Sequence, residues 1–279
     1  MNMADSAILF GIETPVEDLP DDTIKTCCAA VYQSEWIRLL IGDSLHPGGL
    51  VLTERLGLLT DLGPDHKILD VASGTGATAF FLAQQFGCQV VGLEYGHDAV
   101  IRANATAQEH GLADKVRFEQ GDAEKLPFAG DSFDVVICEC AFCTFPNKSM
   151  AASEFSRVLR PGGRLGLSDI TLSGQLPHQL EGLMSWVACI ADAKPIDQYV
   201  DYLESGGLRI AEAESHDEAL LQTVRDIQVR LFTIELLIKL KKIDLTGVDL
   251  ERAKEYIQKT DETIRQGILG YAILVAEAL

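Results

Sequence analysis

The chain has 279 residues, 47% of them hydrophobic, which is enough apolar material for a sizeable buried core and rules out global disorder. Its 42 acidic residues outnumber 23 basic ones, and the net charge of -19 repels phosphate backbones and anionic lipid head groups, so neither nucleic acid nor a membrane is expected as a partner. The opening MNMADSAILFGIETPVEDLP has no basic leader and no apolar run reaches a membrane span; a cytoplasmic setting is expected, with the seven cysteines as reduced thiols.

Residues 24–45 show helical spacing, with Val31, Trp36, Leu39 and Leu40 as the candidate face. His46-Pro-Gly-Gly49 breaks it, and His46 reads first as part of a turn and second as a contact to a cofactor or a substrate. A helix over 50–60 leads into the main domain. From Lys67 strands and helices alternate: KILDVA is a strand, ATAFFLAQQFG a helix and CQVVGLE a second strand. A helix over 97–111 precedes the strands VRFEQGD and FDVVICE. A helix over 148–160 stops at Pro161-Gly-Gly163 before RLGLSDI. Residues 176–206 read as helices, LRIAEAESH as a strand, 217–266 as a helical insertion and GYAILVAEA as the last strand. Apolar strands separated by helices predict an α/β fold, with a doubly wound, mostly parallel, seven-stranded Rossmann-like sheet. The expected division is an N-terminal helical segment (1–60), a core (61–216), an insertion or cap (217–266) and the core's last strand (267–279). The insertion is expected to cover the site at the sheet's carboxyl edge; the alternatives are a surface for a second copy, giving a homodimer, or a passive prop.

Asp70-Val-Ala-Ser-Gly-Thr-Gly76 joins the first strand to its helix. Gly74 and Gly76 permit a tight turn and close approach of a ligand, which meets the positive helix N-terminus. Glu94, at the end of the second strand, stands where a carboxylate commonly holds ribose hydroxyls. Gly74-x-Gly76-x-x-Ala79 also satisfies the dinucleotide fingerprint, so the loop by itself leaves a nicotinamide or flavin enzyme open.

ILDVASGTG, GDAEKLPFAGDSFDVVIC and SEFSRVLRPGGRLGLSDI occur in that order over residues 67–170. Together they resemble the class I S-adenosylmethionine-dependent methyltransferases, in particular the small-molecule branch of ubiquinone/menaquinone and arsenite methyltransferases. The resemblance implies S-adenosyl-L-methionine as cofactor, S-adenosyl-L-homocysteine as product and a small-molecule acceptor. It places Asp70 near the amino-acid end of the cofactor, Glu94 on the ribose and Asp122-Ala123 at the adenine. Gly49, Ala72, Ser73, Gly74, Gly76 and Cys138 complete the cofactor set. Ala72 stands where the family usually has glycine. Metal-ligand spacings are missing from the sequence, and methyl transfer needs only alignment and exclusion of water.

Acceptors sit beyond the carboxyl end of the fourth strand in such sheets. That end reads Cys138-Glu-Cys-Ala-Phe-Cys143, and Glu139 there is expected to orient a substrate. Cysteine is often a small buried hydrophobe, which is the first reading of these thiols and of Cys88. The resemblance to arsenite methyltransferases supplies a second reading, in which Cys140, Cys189 and one of Cys27 or Cys28 hold a trivalent, thiophilic atom. Glu139, Cys140 and Cys189 are thus the candidate catalytic residues. Trp186, Tyr199 and Tyr202 read as a core stripe before a pocket lining. An organic acceptor leads, arsenic is the alternative, and a non-catalytic S-adenosylmethionine-binding module is the alternative of another class.

Overall fold

The runs KILDV, QVVGLE and FDVVICE are apolar on both sides of the pleat, so they belong in the middle of a covered sheet. The structure, a computed structural model, describes residues 20–32, 46–180, 188–240 and 249–279, together with Ser185 and Lys242. In it β1 (Lys67–Val71) pairs in parallel with β2 (Gln89–Glu94) and with β4 (Phe133–Glu139). β2 pairs with β3 (Val116–Gln120) and β4 with β5 (Leu159–Leu172), again in parallel. With β6 (Leu208–Ser215) and β7 (Leu269–Ala278) the order is β3-β2-β1-β4-β5-β7-β6, β7 running against both neighbours. This is the expected seven-stranded, mostly parallel α/β sheet. Ile68, Leu69, Val91, Val136 and Leu165 are wholly buried in it.

The helices are α1 (Asp21–Tyr32), α2 (Gly49–Leu59), α3 (Ala77–Phe86), α4 (His97–Glu109), α5 (Lys148–Val158), α6 (Ile196–Ser205), α7 (Asp217–Lys239) and α8 (Leu250–Arg265). Side chains cap some of them: Asn147 Oδ1 accepts from the Met150 N–H at 3.0 Å, and Asp249 Oδ1 from Arg252 N–H at 3.0 Å. Strand order reverses between β1 and β4, which opens a crevice at the carboxyl ends of these strands. α7 and α8 pack on one another and on β7. Because this helical pair returns the chain to the sheet from the opposite end, β7 runs antiparallel.

Some boundaries differ from the sequence reading. The first helix begins at Asp21, and no side chain of its expected face (Val31, Trp36, Leu39, Leu40) is among the described ones. α5 ends at Val158 because Leu159 already pairs with Phe133; the register then shifts past Pro161-Gly-Gly163 before Arg164 pairs with Val135. Of the helices expected over 176–206, the described residues contain a short 3-10 turn at His178–Leu180 and α6, which starts after Pro195. Trp186 lies outside the described residues. Tyr199 is core, its hydroxyl donating to the Ile170 carbonyl at 3.0 Å.

Candidate functional site

The chain leaves β1 through a turn in which Ala72, Gly74 and Gly76 have φ of 58°, 54° and 86°. Glycine takes such angles freely, whereas alanine pays on the order of 1 kcal/mol, which explains why glycine is usual at position 72. Ser73 N–H donates to the Leu93 carbonyl at 3.0 Å and Gly76 N–H to the Ser73 carbonyl at 2.8 Å, closing the loop. Glu94, buried at the end of β2, braces it from below: Oε2 accepts from Gly74 N–H at 3.0 Å and Oε1 from Gly96 N–H at 2.8 Å.

A cleft of about 1090 Å³, part of it open to solvent, lies on this loop. Asp70, Ala72, Ser73, Gly74, Glu94, Asp122, Ala123, Glu139 and Cys140 all line it. Gly49, Gly76, Cys138 and Cys189 are not among its lining residues. Gly49 is the first residue of α2, its N–H closing a turn onto the His46 carbonyl at 3.3 Å. Gly76 caps α3, and a Cβ there would lie 2.5 Å from the Phe118 ring. Cys138 is fully buried inside β4, in register with Val71 and Leu167.

Four carboxylates, Asp70, Glu94, Asp122 and Glu139, face one cleft. Burial and the charges of Glu139 and Glu94 push the Asp70 carboxyl well above the usual carboxylate range. Asp70 Oδ2 and Ser73 Oγ are buried and have no hydrogen-bond partner in the protein. Buried polar atoms need partners, so this cleft is built for a polar ligand that carries donors and positive charge.

α1 forms the roof with Lys25, Cys28, Ala29 and Tyr32. Lys25 Nζ reaches across to Asp122 Oδ2 at 2.8 Å and Glu124 Oε2 at 2.6 Å, while Asp122 Oδ1 accepts from Glu124 N–H at 2.9 Å. Burial works against the ammonium, but the two carboxylates prevail and its pKa is raised. At the end of β4, Glu139 accepts from the Thr78 hydroxyl at 2.6 Å and from the Thr53 hydroxyl at 3.1 Å. His46 Nε2 lies 3.5 Å from Glu139 Oε2. The sequence reading missed Lys25, Tyr32, Thr53 and Thr78, and it put a turn role for His46 ahead of the cofactor or substrate contact it also offered; the break at HPGG was the one local signal.

A second cavity of about 670 Å³ adjoins the first, under α7 and α8. Leu220, Val224, Ile227 and Ile257 come from that helical pair, and Ile170 and Ile190 from the core side. Tyr32, His46 and Cys140 line both cavities.

The thiols converge near the same place. Cys189 Sγ donates to the Cys140 carbonyl at 3.0 Å and lies 3.4 Å from the Tyr32 hydroxyl. Cys140 and Cys189 have φ of 51° and 62°, a left-handed conformation unusual for cysteine. Burial, with Cys189 nearby, pushes the Cys28 thiol up to about 12. The Cys189 side chain and burial also raise Cys140, and burial raises Cys143, which the sequence reading had not placed in the set. Among the described residues no group of three or more His, Cys, Asp or Glu side chains is arranged to hold a metal ion.

A sequence model described as "Methyltransferase domain" matches residues 62–222. The chain is similar to Methyltransferase GfsG of Streptomyces halstedii, 34% identical over 61% of this chain and 62% of that protein. It is also similar to an arsenite methyltransferase of Halobacterium salinarum, 30% identical over 57% of this chain and 41% of that protein. Both matches span less than two thirds of the relative's length. The fold resembles that of geranyl diphosphate C-methyltransferase from Streptomyces coelicolor A3(2), with a TM-score of 0.73, 16% identity, and coverage of 93% of this chain and 100% of that one. Since the family model spans more than half of the sequence and falls on the strands and loop that build the cleft, the chain belongs to the methyltransferase-domain family.

Proposed function

We propose that the protein transfers a methyl group from S-adenosyl-L-methionine to an apolar organic small molecule, leaving S-adenosyl-L-homocysteine. One observation carries this reading: a carboxylate-lined cleft on the glycine turn meets an aliphatic chamber at a neck formed by Tyr32, His46 and Cys140. The cofactor supplies a methyl group already activated by a positive sulfur. The unpartnered Asp70 Oδ2 and Ser73 Oγ fit its ammonium and carboxylate end, Glu94 the ribose and Asp122-Ala123 the adenine. α7 and α8 wall the acceptor chamber, the side from which water must be kept off the reacting methyl group. The net charge of -19 argues against nucleic acid as a partner, and seven thiols suit a reducing, cytoplasmic setting. No helix of the described residues is long and apolar enough to cross a membrane.

The test is transfer of a labelled methyl group to a panel of apolar phenols, amines and quinones, with arsenite alongside. Transfer to the organic panel is expected. Transfer to arsenite alone, abolished in Cys140→Ser and Cys189→Ser with cofactor binding intact, would replace this reading by the thiophilic one. Amide hydrogen exchange of α7 and α8 is expected to slow when cofactor and acceptor are both bound. Unchanged exchange would make this pair, with Val229, Phe232 and Leu236 exposed, a surface for a second copy in a homodimer or a passive prop.

Lys25 should matter to cofactor retention. It clamps the α1 roof to Asp122, on the adenine side, and neutralises Asp122 and Glu124. Lys25→Met is expected to raise the dissociation constant for S-adenosylmethionine by roughly 5- to 10-fold, about 1 kcal/mol, mainly through faster release. Stopped-flow displacement measures this directly, and an unchanged release rate would exclude the clamp.

A further inference from the structure

α7 has two unlike faces. Leu220, Val224, Leu231 and Ile234 are buried on the inner one, where Ile227 lines the aliphatic chamber. On the outer one Val229, Phe232, Leu236 and Leu240 are 65%, 68%, 47% and 58% exposed. Steps of three and four residues set these side chains in one apolar row along the helix. A contiguous exposed apolar row marks a contact surface. Charge is divided along it: Asp226 is exposed toward the N-terminal end, and Lys239, its side chain 71% exposed, stands at the C-terminal end. The row is also symmetric about its middle. A two-fold axis through the outer face between Phe232 and Thr233 lays α7 antiparallel on a second copy of itself. Each residue then meets the one equally far from the axis on the other side. Val229 meets Leu236 of the second copy at the centre, and Phe232 meets Thr233 beside it. Thr233 Oγ1 already donates to the Val229 carbonyl at 2.9 Å and brings no unmet donor. Arg225 lays its aliphatic stem on Leu240. Asp226 meets Lys239 on each flank.

We propose that the outer face of α7 is the interface of a homodimer, paired antiparallel with the same face of a second copy. The direction follows from charge. A parallel pairing sets Asp226 against Asp226 and Lys239 against Lys239, whereas the antiparallel one opposes unlike charges and unlike helix ends. A lipid surface fits less well, because a helix that lies on lipid has an excess of lysine and arginine beside its apolar row. Here Asp226 stands on the flank, and the chain's net charge is -19. That net charge opposes association at long range and is screened by salt, whereas the apolar contact is not. The pairing uses the outer face alone. The inner face still walls the chamber, and each subunit braces the other's wall from outside.

Sedimentation equilibrium of the full chain in about 0.1 M salt is expected to give the mass of two chains at micromolar concentration. Val229→Glu sets a carboxylate against Leu236 of the second copy and is expected to leave single chains at that concentration. Val229 is exposed in the single chain, so the circular dichroism of this variant is expected to match the parent's. Asp226→Lys and Lys239→Asp are each expected to weaken the dimer about tenfold by opposing like charges. The two together restore unlike charges and are expected to return the affinity to within about threefold of the parent's. Structural damage at either position would not be repaired by the second change. Single chains at every concentration, or a dimer that Val229→Glu leaves intact, would overturn the proposal. So would single charge variants that pair as tightly as the parent, or a double variant no tighter than either. Single chains that co-sediment with vesicles of phosphatidylglycerol and phosphatidylcholine would overturn it in favour of a lipid surface.

Discussion

Glu94→Ala is expected to weaken S-adenosylmethionine binding by about 1–3 kcal/mol, roughly 5- to 150-fold in dissociation constant, in an isothermal titration. Two losses combine. The carboxylate proposed to hold the ribose hydroxyls is gone, and so is the acceptor that fixes Gly74 and Gly96 through their N–H groups at 3.0 and 2.8 Å. The second loss concerns the shape of the turn that lies against the cofactor. Glu94→Gln should not restore full affinity, because an amide offers one acceptor oxygen where two backbone donors converge. Unchanged affinity in the alanine variant would remove Glu94 from the binding site.

Gly76→Ala is expected to cost about 2–4 kcal/mol of folding stability, visible in urea denaturation without any ligand. At φ 86° an L side chain is strained, and its Cβ would stand 2.5 Å from Phe118 Cζ and 3.0 Å from Phe80 Cε2. Those rings pack edge to face with centroids 5.4 Å apart, between α3 and β3, so neither yields easily. A variant as stable as the parent would show that the rings move. The contrast between the two substitutions is informative: Gly76 acts on the turn through packing behind it, and Glu94 acts from within the cleft.

Much of this fold was legible because its signals are local. Near-continuous apolar runs in 67–71, 89–94 and 133–139 mark central strands whatever surrounds them. The glycine turn after β1 and the carboxylate closing β2 are set by short spacing, and both line the cleft. Boundaries failed where pairing competed with helix periodicity, as at Leu159, which the helix pattern includes and β5 claims. Cys138 and Glu139 show the limit of spacing by another route. Adjacent in β4, they point to opposite faces, so one is sealed in the sheet and the other opens on the cleft.

The sequence by itself thus determined the alternation of strands and helices, the nucleotide-type turn and the family resemblance, since each depends on residues a few positions apart. It also located the thiols, and the resemblance to arsenite methyltransferases implied a meeting of Cys140, Cys189 and one of Cys27 or Cys28, but no local spacing required it. Tyr32 and Cys189 are 157 positions apart, Lys25 and Asp122 97, and Thr53 and Glu139 86. Only the tertiary structure decided that α1 roofs the cleft, that α7 and α8 wall an aliphatic chamber, and that His46 stands with Glu139 where the cavities join. Such meetings depend on strand order and on where helices dock, which are set by burial of the whole core and leave no periodic trace in the chain.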